Sequence, residues 1–222
     1  MYASRLSAIM LITMKYNLPR SYLSYSSWSL WKRDKQAFRR RYYFNEDSFE
    51  TVETIFGKKI AKRLEDKDPE LSFIPSYSKS EHGIETIIGD VPVKGYLDTF
   101  EPDSFSFGEY KTGHLSKEGK APWDIVKVAK HDQLPFYSLL IESKYGKVDR
   151  VTHLHWLETK FKEKKIMFEG IELIANSREL ELTGKILTFK RIIPKWERDE
   201  IKKSIIKVAE EISEDYSLFL KL

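Results

Sequence analysis

The sequence predicts an α/β fold, a mixed sheet with helices on both faces. Two observations carry this. Helical periodicity runs to about residue 66, and three closely spaced extended segments, a helix, an alternating strand and a long charged helix follow, an order that suits a sheet covered on both sides. The 222 residues are 41% hydrophobic and 32% charged, enough apolar side chain for a substantial core under a water-facing surface. No repeat and no low-complexity linker divides the chain, so residues 1–222 are expected to form a single domain.

The elements follow in order. Ile9–Met14 is the longest apolar run near the start, short of the roughly 20 residues of a membrane span. It follows Arg5 in the manner of a signal peptide, but Lys15 interrupts it and no small-residue cleavage pattern follows. It is expected to be a strand or helix packed on the body. A first helix spans the aromatic and basic segment Ser27–Phe44, with six basic residues and one acid from Trp31 to Arg41. Its Trp28, Trp31, Phe38 and Tyr42 are expected to fill the core. Lys32, Arg33, Arg39 and Arg40 are candidates for phosphate contact, because clustered cations rather than a net charge of only +4 mark such a surface. Residues 47–66 carry Val52, Ile55, Phe56, Ile60 and Leu64 at helical spacing, with Asp47 as a possible cap. Residues 66–83 read as loop, extended near Ser72–Pro75. Strands are expected over 84–89, 92–100 and 105–111. Residues 114–123 form a loop and 123–130 a short helix, on which Lys120, Lys127 and Lys130 are further candidates for phosphate contact. An amphipathic helix over 132–144, capped by Asp132, carries the stripe Leu134, Tyr137, Leu140 and Ile141. Residues 151–157 alternate as a strand, and 165–168 and 187–192 are further candidates. A helix over 194–220 presents Ile201, Ile205, Val208 and Ile212 on one face.

The chemistry concentrates where two of these strands meet. Glu101-Pro102-Asp103-Ser104 is a turn sequence, since proline presets φ and Asp and Ser bond locally. Symmetric closure sets Phe100 against Phe105 and Asp98 against Phe107, which leaves Glu109 diagonal to Asp98 at about 7–8 Å between α-carbons. With a period of two, Asp98, Glu109 and Lys111 share one face. Two converging carboxylates suit a hard cation, and an amine beside them can orient a water. Gln133 and Tyr137, four apart on the following helix, share a face. An ordinary amphipathic helix has no need of a glutamine at the start of its apolar stripe.

Gly-Tyr-Leu-Asp98, Glu109-Tyr-Lys111-Thr-Gly and Gln133-Leu-Pro-Phe-Tyr137, in that order and at that spacing, resemble the three consecutive motifs of the RecB-like branch of the PD-(D/E)XK nucleases. The resemblance covers about residues 85 to 141. It implies a restriction-endonuclease-like mixed central sheet and a Mg²⁺ or Mn²⁺ site formed by Asp98, Glu109 and the backbone carbonyl of Tyr110. Lys111 would act on the attacking water, and Gln133 and Tyr137 would line the same cleft. The implied activity is a metal-dependent DNA exonuclease in recombination, repair or phage DNA processing. It would act in the cytoplasm, or the host cytoplasm if the protein is viral, with a recombination, annealing or helicase protein as a possible partner and no membrane. A site- or structure-specific endonuclease and a non-catalytic DNA-binding subunit are the alternatives. Toroids occur in the superfamily, so the oligomeric state stays open. Two departures matter. Where relatives carry Gly-x-x-x-His, this chain has Gly57 followed by Ala61, so an added metal ligand would be Glu85 or Glu65, with His82 read as loop. With no cysteine, an iron–sulfur cluster of the kind some relatives hold is excluded, which brings the chain nearer to the phage-recombination and single-domain exonucleases.

Overall fold

The computed structural model describes residues 15–47 and 49–222; the run Ile9–Met14 lies outside them. Five strands, β1 (Lys79–Ile88), β2 (Val91–Glu101), β3 (Ser106–Gly113), β4 (Thr152–Phe168) and β5 (Ile171–Arg191), form one sheet in sequential order. Its neighbours are antiparallel except β3 and β4, which run parallel. A parallel pair needs a crossover, and the connection here carries α4 (Ile125–Ala129) and α5 (Gln133–Tyr145). The β1–β2 hairpin turns through Gly89 and Asp90, both with positive φ, as a two-residue turn matched to strand twist requires.

Helices cover both faces, as the order of elements predicted. On one side α1 (Tyr25–Arg33), α2 (Lys35–Tyr42), α5 and α6 (Lys195–Phe219) build the main core around Trp28, Trp31, Phe38, Phe136, Ile205 and Ile212. On the other, α3 (Val52–Glu65) holds a smaller cluster, Ile60 with Leu71, Ile74 and Leu157.

Several boundaries differ from expectation for identifiable reasons. The first helix is two. Asp34 takes extended φ/ψ and its carboxylate accepts the Ala37 N–H, so one helix ends where the next is capped. Thr51 rather than Asp47 caps α3. Ser72–Ile74 is turn and bend rather than extended, and β1 begins at Lys79. The separate candidates 165–168 and 187–192 belong to one long hairpin, closed by Glu169 and Gly170, both with positive φ. Helix α5 is not amphipathic: Gln133 to Ile141 are all buried, because the sheet lies on one side and α1 and α6 on the other. The four residues predicted for the buried face of α6 are buried.

Candidate active site

The site is built by the register of three strands. Pairing between β2 and β3 runs Glu101↔Ser106, Phe100↔Phe107 and Thr99↔Gly108. The expected pairing of Phe100 with Phe105 is therefore displaced by two. Phe105 adopts a left-handed φ of 55° and belongs to the loop, not the strand. Continuing the observed register by one step sets Asp98 directly across from Glu109 rather than diagonal to it. Paired residues share a face, so the two carboxylates stand on one side of the sheet, and Lys111 follows two residues on.

Backbone pairing of β2 with β3 stops at that point. The Tyr110 N–H instead donates to Asp98 Oδ2 at 2.7 Å. Asp98 thus satisfies a buried donor while its own carboxyl is pushed well up, by burial and by the facing charge of Glu109. Glu109 is only 4% exposed. Its Oε1 accepts from Lys111 Nζ at 2.7 Å and from Gln133 Nε2 at 2.5 Å, while Lys111 Nζ also donates to Gln133 Oε1 at 2.8 Å. Burial works to lower the lysine's affinity for its proton, but Glu109 and Asp98 outweigh it and the net shift is upward. The amine is therefore a cation held between carboxylates. Tyr137 closes the group, its hydroxyl 3.4 Å from Gln133 Nε2, with burial followed by the charge of Glu109 holding its proton on.

One acid was missed. The β1–β2 ladder runs Ser80↔Thr99 and then His82↔Leu97, skipping the position where Glu81 faces Asp98. Glu81 has a left-handed φ of 47° inside a strand, an arrangement that costs energy in a residue with a side chain. Its carboxyl is pushed up by burial, then by Glu65 and Glu109. Glu81, Asp98 and Glu109 therefore occupy one row across β1, β2 and β3. Strand periodicity could have found it: Glu81 becomes legible once β1 is extended upstream from 84 to Lys79 and its turn fixed at Gly89-Asp90.

The other predicted residues are placed as follows. Glu85 is exposed on β1, paired in register with Lys94 and bridged to it at 2.7 Å, four residues from the row. Glu65 is at the end of α3, bridged to Lys62 at 3.0 Å, with its charge reaching Glu81. His82 is in β1 rather than a loop, its ring stacked on Phe100 at 4.6 Å. Gly57 brings α3 against β3, where a Cβ would stand 3.2 Å from Thr112 Oγ1. Of the candidate phosphate contacts, Arg39 binds Asp215 of α6 through both Nε and Nη2, Arg40 lies 4.0 Å from Glu46, and Lys32 bridges Asp132 at 2.9 Å at the start of α5. Arg33, Lys120, Lys127 and Lys130 are exposed.

The donor set fits a hard divalent cation. Its atoms are carboxylate oxygens, and Glu109 Oε2 is buried with no hydrogen-bond partner among the described residues, an oxygen that something must satisfy. Among the described residues no three Asp, Glu, His or Cys side chains stand together as a ready-made cage. A pair of carboxylates completed by substrate and solvent is how Mg²⁺ is commonly held.

No protein-family model and no curated protein matches this sequence. Among solved structures, the chain is similar to the "Putative exonuclease" of Eubacterium rectale, with a TM-score of 0.50 and 10% identity over 86% of this chain and 82% of that one. The fold is restriction-endonuclease-like. A second similar structure, SSO0001, has a TM-score of 0.46 and 14% identity over 87% of this chain and 75% of that one. At 10% identity the first of these likenesses speaks to the fold alone. No described helix is long and apolar enough to cross a membrane.

Proposed function

We propose that the chain is a metal-dependent deoxyribonuclease of the RecB-like branch, acting as a DNA exonuclease. The observation that carries the reading is the Glu109 carboxylate, buried across from Asp98 and shared between Lys111 and Gln133, with its second oxygen unsatisfied. Asp98, Glu109 and the Tyr110 carbonyl would hold Mg²⁺ or Mn²⁺. When bound, the ion would polarise the scissile phosphate and acidify a water. The chain's own residues do the rest. Asp98 is oriented by the Tyr110 N–H and Glu109 by the Gln133 amide, so neither carboxylate needs to reorganise. Lys111, kept protonated by its two acidic neighbours, supplies positive charge where the phosphate becomes more negative. Gln133 fixes that amine from the second side. Exposed Lys120, Lys127 and Lys130 would meet the DNA backbone.

The test is release of nucleotides from linear DNA with and without Mg²⁺ or Mn²⁺. Lys111→Ala and Asp98→Asn are each expected to lower the rate by about 10²–10³-fold, the range seen for loss of one preorganised charge-stabilising group. Undiminished degradation by both variants would refute the assignment. Cleavage of closed circular DNA would convert it to an endonuclease.

A further inference from the structure

The loop before Gln133 does more than connect. A cavity of about 510 Å³ opens there, lined by Trp123, Asp124, Val126, Lys127, Lys130 and His131. That volume falls in the range of small-molecule sites, about 300–1,000 Å³. Its apolar wall is aromatic. Trp123 is partly buried against the main core, and its ring lies 4.9 Å from that of His131 at 35°. Its rim is cationic, since Lys127 and Lys130 are exposed and the Lys127 amine lies 4.6 Å over the indole. That amine is tethered to the Pro122 carbonyl at 2.8 Å. The cavity also lies at the start of α5, whose Gln133 binds Glu109. His131 stands two residues before Gln133, and the Tyr25 ring lies 6.2 Å from both His131 and Tyr137.

From this arrangement we infer that the Trp123 cavity is a nucleobase subsite, which takes one unpaired base of the strand presented to Asp98 and Glu109. The inference rests on the nuclease reading and narrows its substrate to DNA with a single-stranded segment. The indole face that draws the Lys127 amine would exchange that cation for a base, and every base has a flat face to lay on it. In a duplex those faces are already covered by neighbouring pairs, so only an unstacked base can enter. The lysine rim then meets the flanking phosphates, which the cavity wall cannot. His131 is held neutral, its pKa pushed down to about 4 by burial and then by Lys111, so the wall presents an uncharged ring.

The experiment measures binding separately from cleavage. In a Lys111→Ala background, affinity is measured for a 5′-phosphorylated oligothymidine of about twelve nucleotides, within the site sizes of single-strand binders. A blunt duplex and a series carrying one abasic residue at each successive position are measured alongside. Trp123→Ala should weaken single-strand binding roughly tenfold to a hundredfold, as loss of one base–aromatic stack does, and leave the duplex unchanged. Trp123→Phe should restore binding, which separates stacking from misfolding. One abasic position should reproduce the loss in the Lys111→Ala parent and add nothing once Trp123 is Ala. An equal loss on duplex, no loss on single strands, or additive abasic effects at every position would overturn the subsite. Failure of the cleavage assay on the unsubstituted protein would strike the nuclease reading instead, and leave the binding result standing on its own.

Discussion

Gly95 shows how tightly individual residues are held beneath the site. A Cβ there would lie 2.9 Å from both Leu140 Cδ2 and Tyr137 Cε1, and α5 is locked between the sheet and two helices. Gly95→Ala should destabilise the protein by about 1–3 kcal/mol, as overpacking of a filled core does, and should disturb the Tyr137 end of the site. The urea midpoint would report the first effect; an unchanged midpoint would mean α5 can retreat. Gly108 faces a similar limit, with a Cβ 2.8 Å from Thr99 Cγ2. Glu81 makes a prediction of a different kind. If it stands in the acidic row because the row tolerates cations, Glu81→Gln should weaken Mn²⁺ binding measured by calorimetry without unfolding the chain, whereas Glu85→Gln should leave it unchanged. Equal effects of the two would remove Glu81 from the site.

Among the elements, the break between α1 and α2 rests on one side chain. Asp34 caps the second helix while its N–H bonds the Leu30 carbonyl that ends the first. Asp34→Ala should cost about 1 kcal/mol and Asp34→Ser considerably less, read from thermal or urea unfolding. The break matters because it turns the basic segment toward α6, where Asp215 takes Arg39 and the Tyr43 hydroxyl, and Glu211 takes Lys35 and the Trp31 indole. The sequence displayed those cations but not their acidic partners, 176 residues away for both Arg39 and Lys35. Lys111 and Gln133, by contrast, were legible. Glu109 and Lys111 are neighbours on one strand face, and Gln133 stood out as a polar residue on an apolar stripe. Elements with a local cause, such as α6, were recovered to within a residue or so. The long β4–β5 hairpin was not, because beyond Lys160 both its faces meet solvent and apolar alternation fades.

For the whole molecule, one buried histidine, His155, and one half-buried, His131, set an acid limit. His131 and His155 are each pushed down to about 4, first by burial and then by Lys111 and His153 respectively. An unfolded histidine titrates near 6.5, so between about pH 6.5 and 4 the unfolded chain binds more protons. Stability should therefore fall as pH drops through that window and level off below it. The raised carboxyls of Asp98 and Glu81 act in the opposite sense, since acid removes charges that burial, and then repulsion from neighbouring acids, disfavour. The measurement is accordingly a comparison: the urea midpoint from pH 7 to 4.5 should slope less steeply in His131→Phe/His155→Phe than in the parent. Identical slopes would mean the imidazoles are protonated without penalty. The fold as a whole was readable from the order of helical and extended patterns, because layering follows from which faces are apolar. The pairing of Asp98 with Glu109 was not, because it depends on a loop of Pro102 to Phe105 whose last residue adopts a left-handed backbone that sequence does not announce. That loop works as a gauge block. One extra residue absorbed into either arm would invert every side chain beyond it. The two acids would then point through opposite sides of the sheet, and the fully buried Phe107 would be turned out of the core with Glu109.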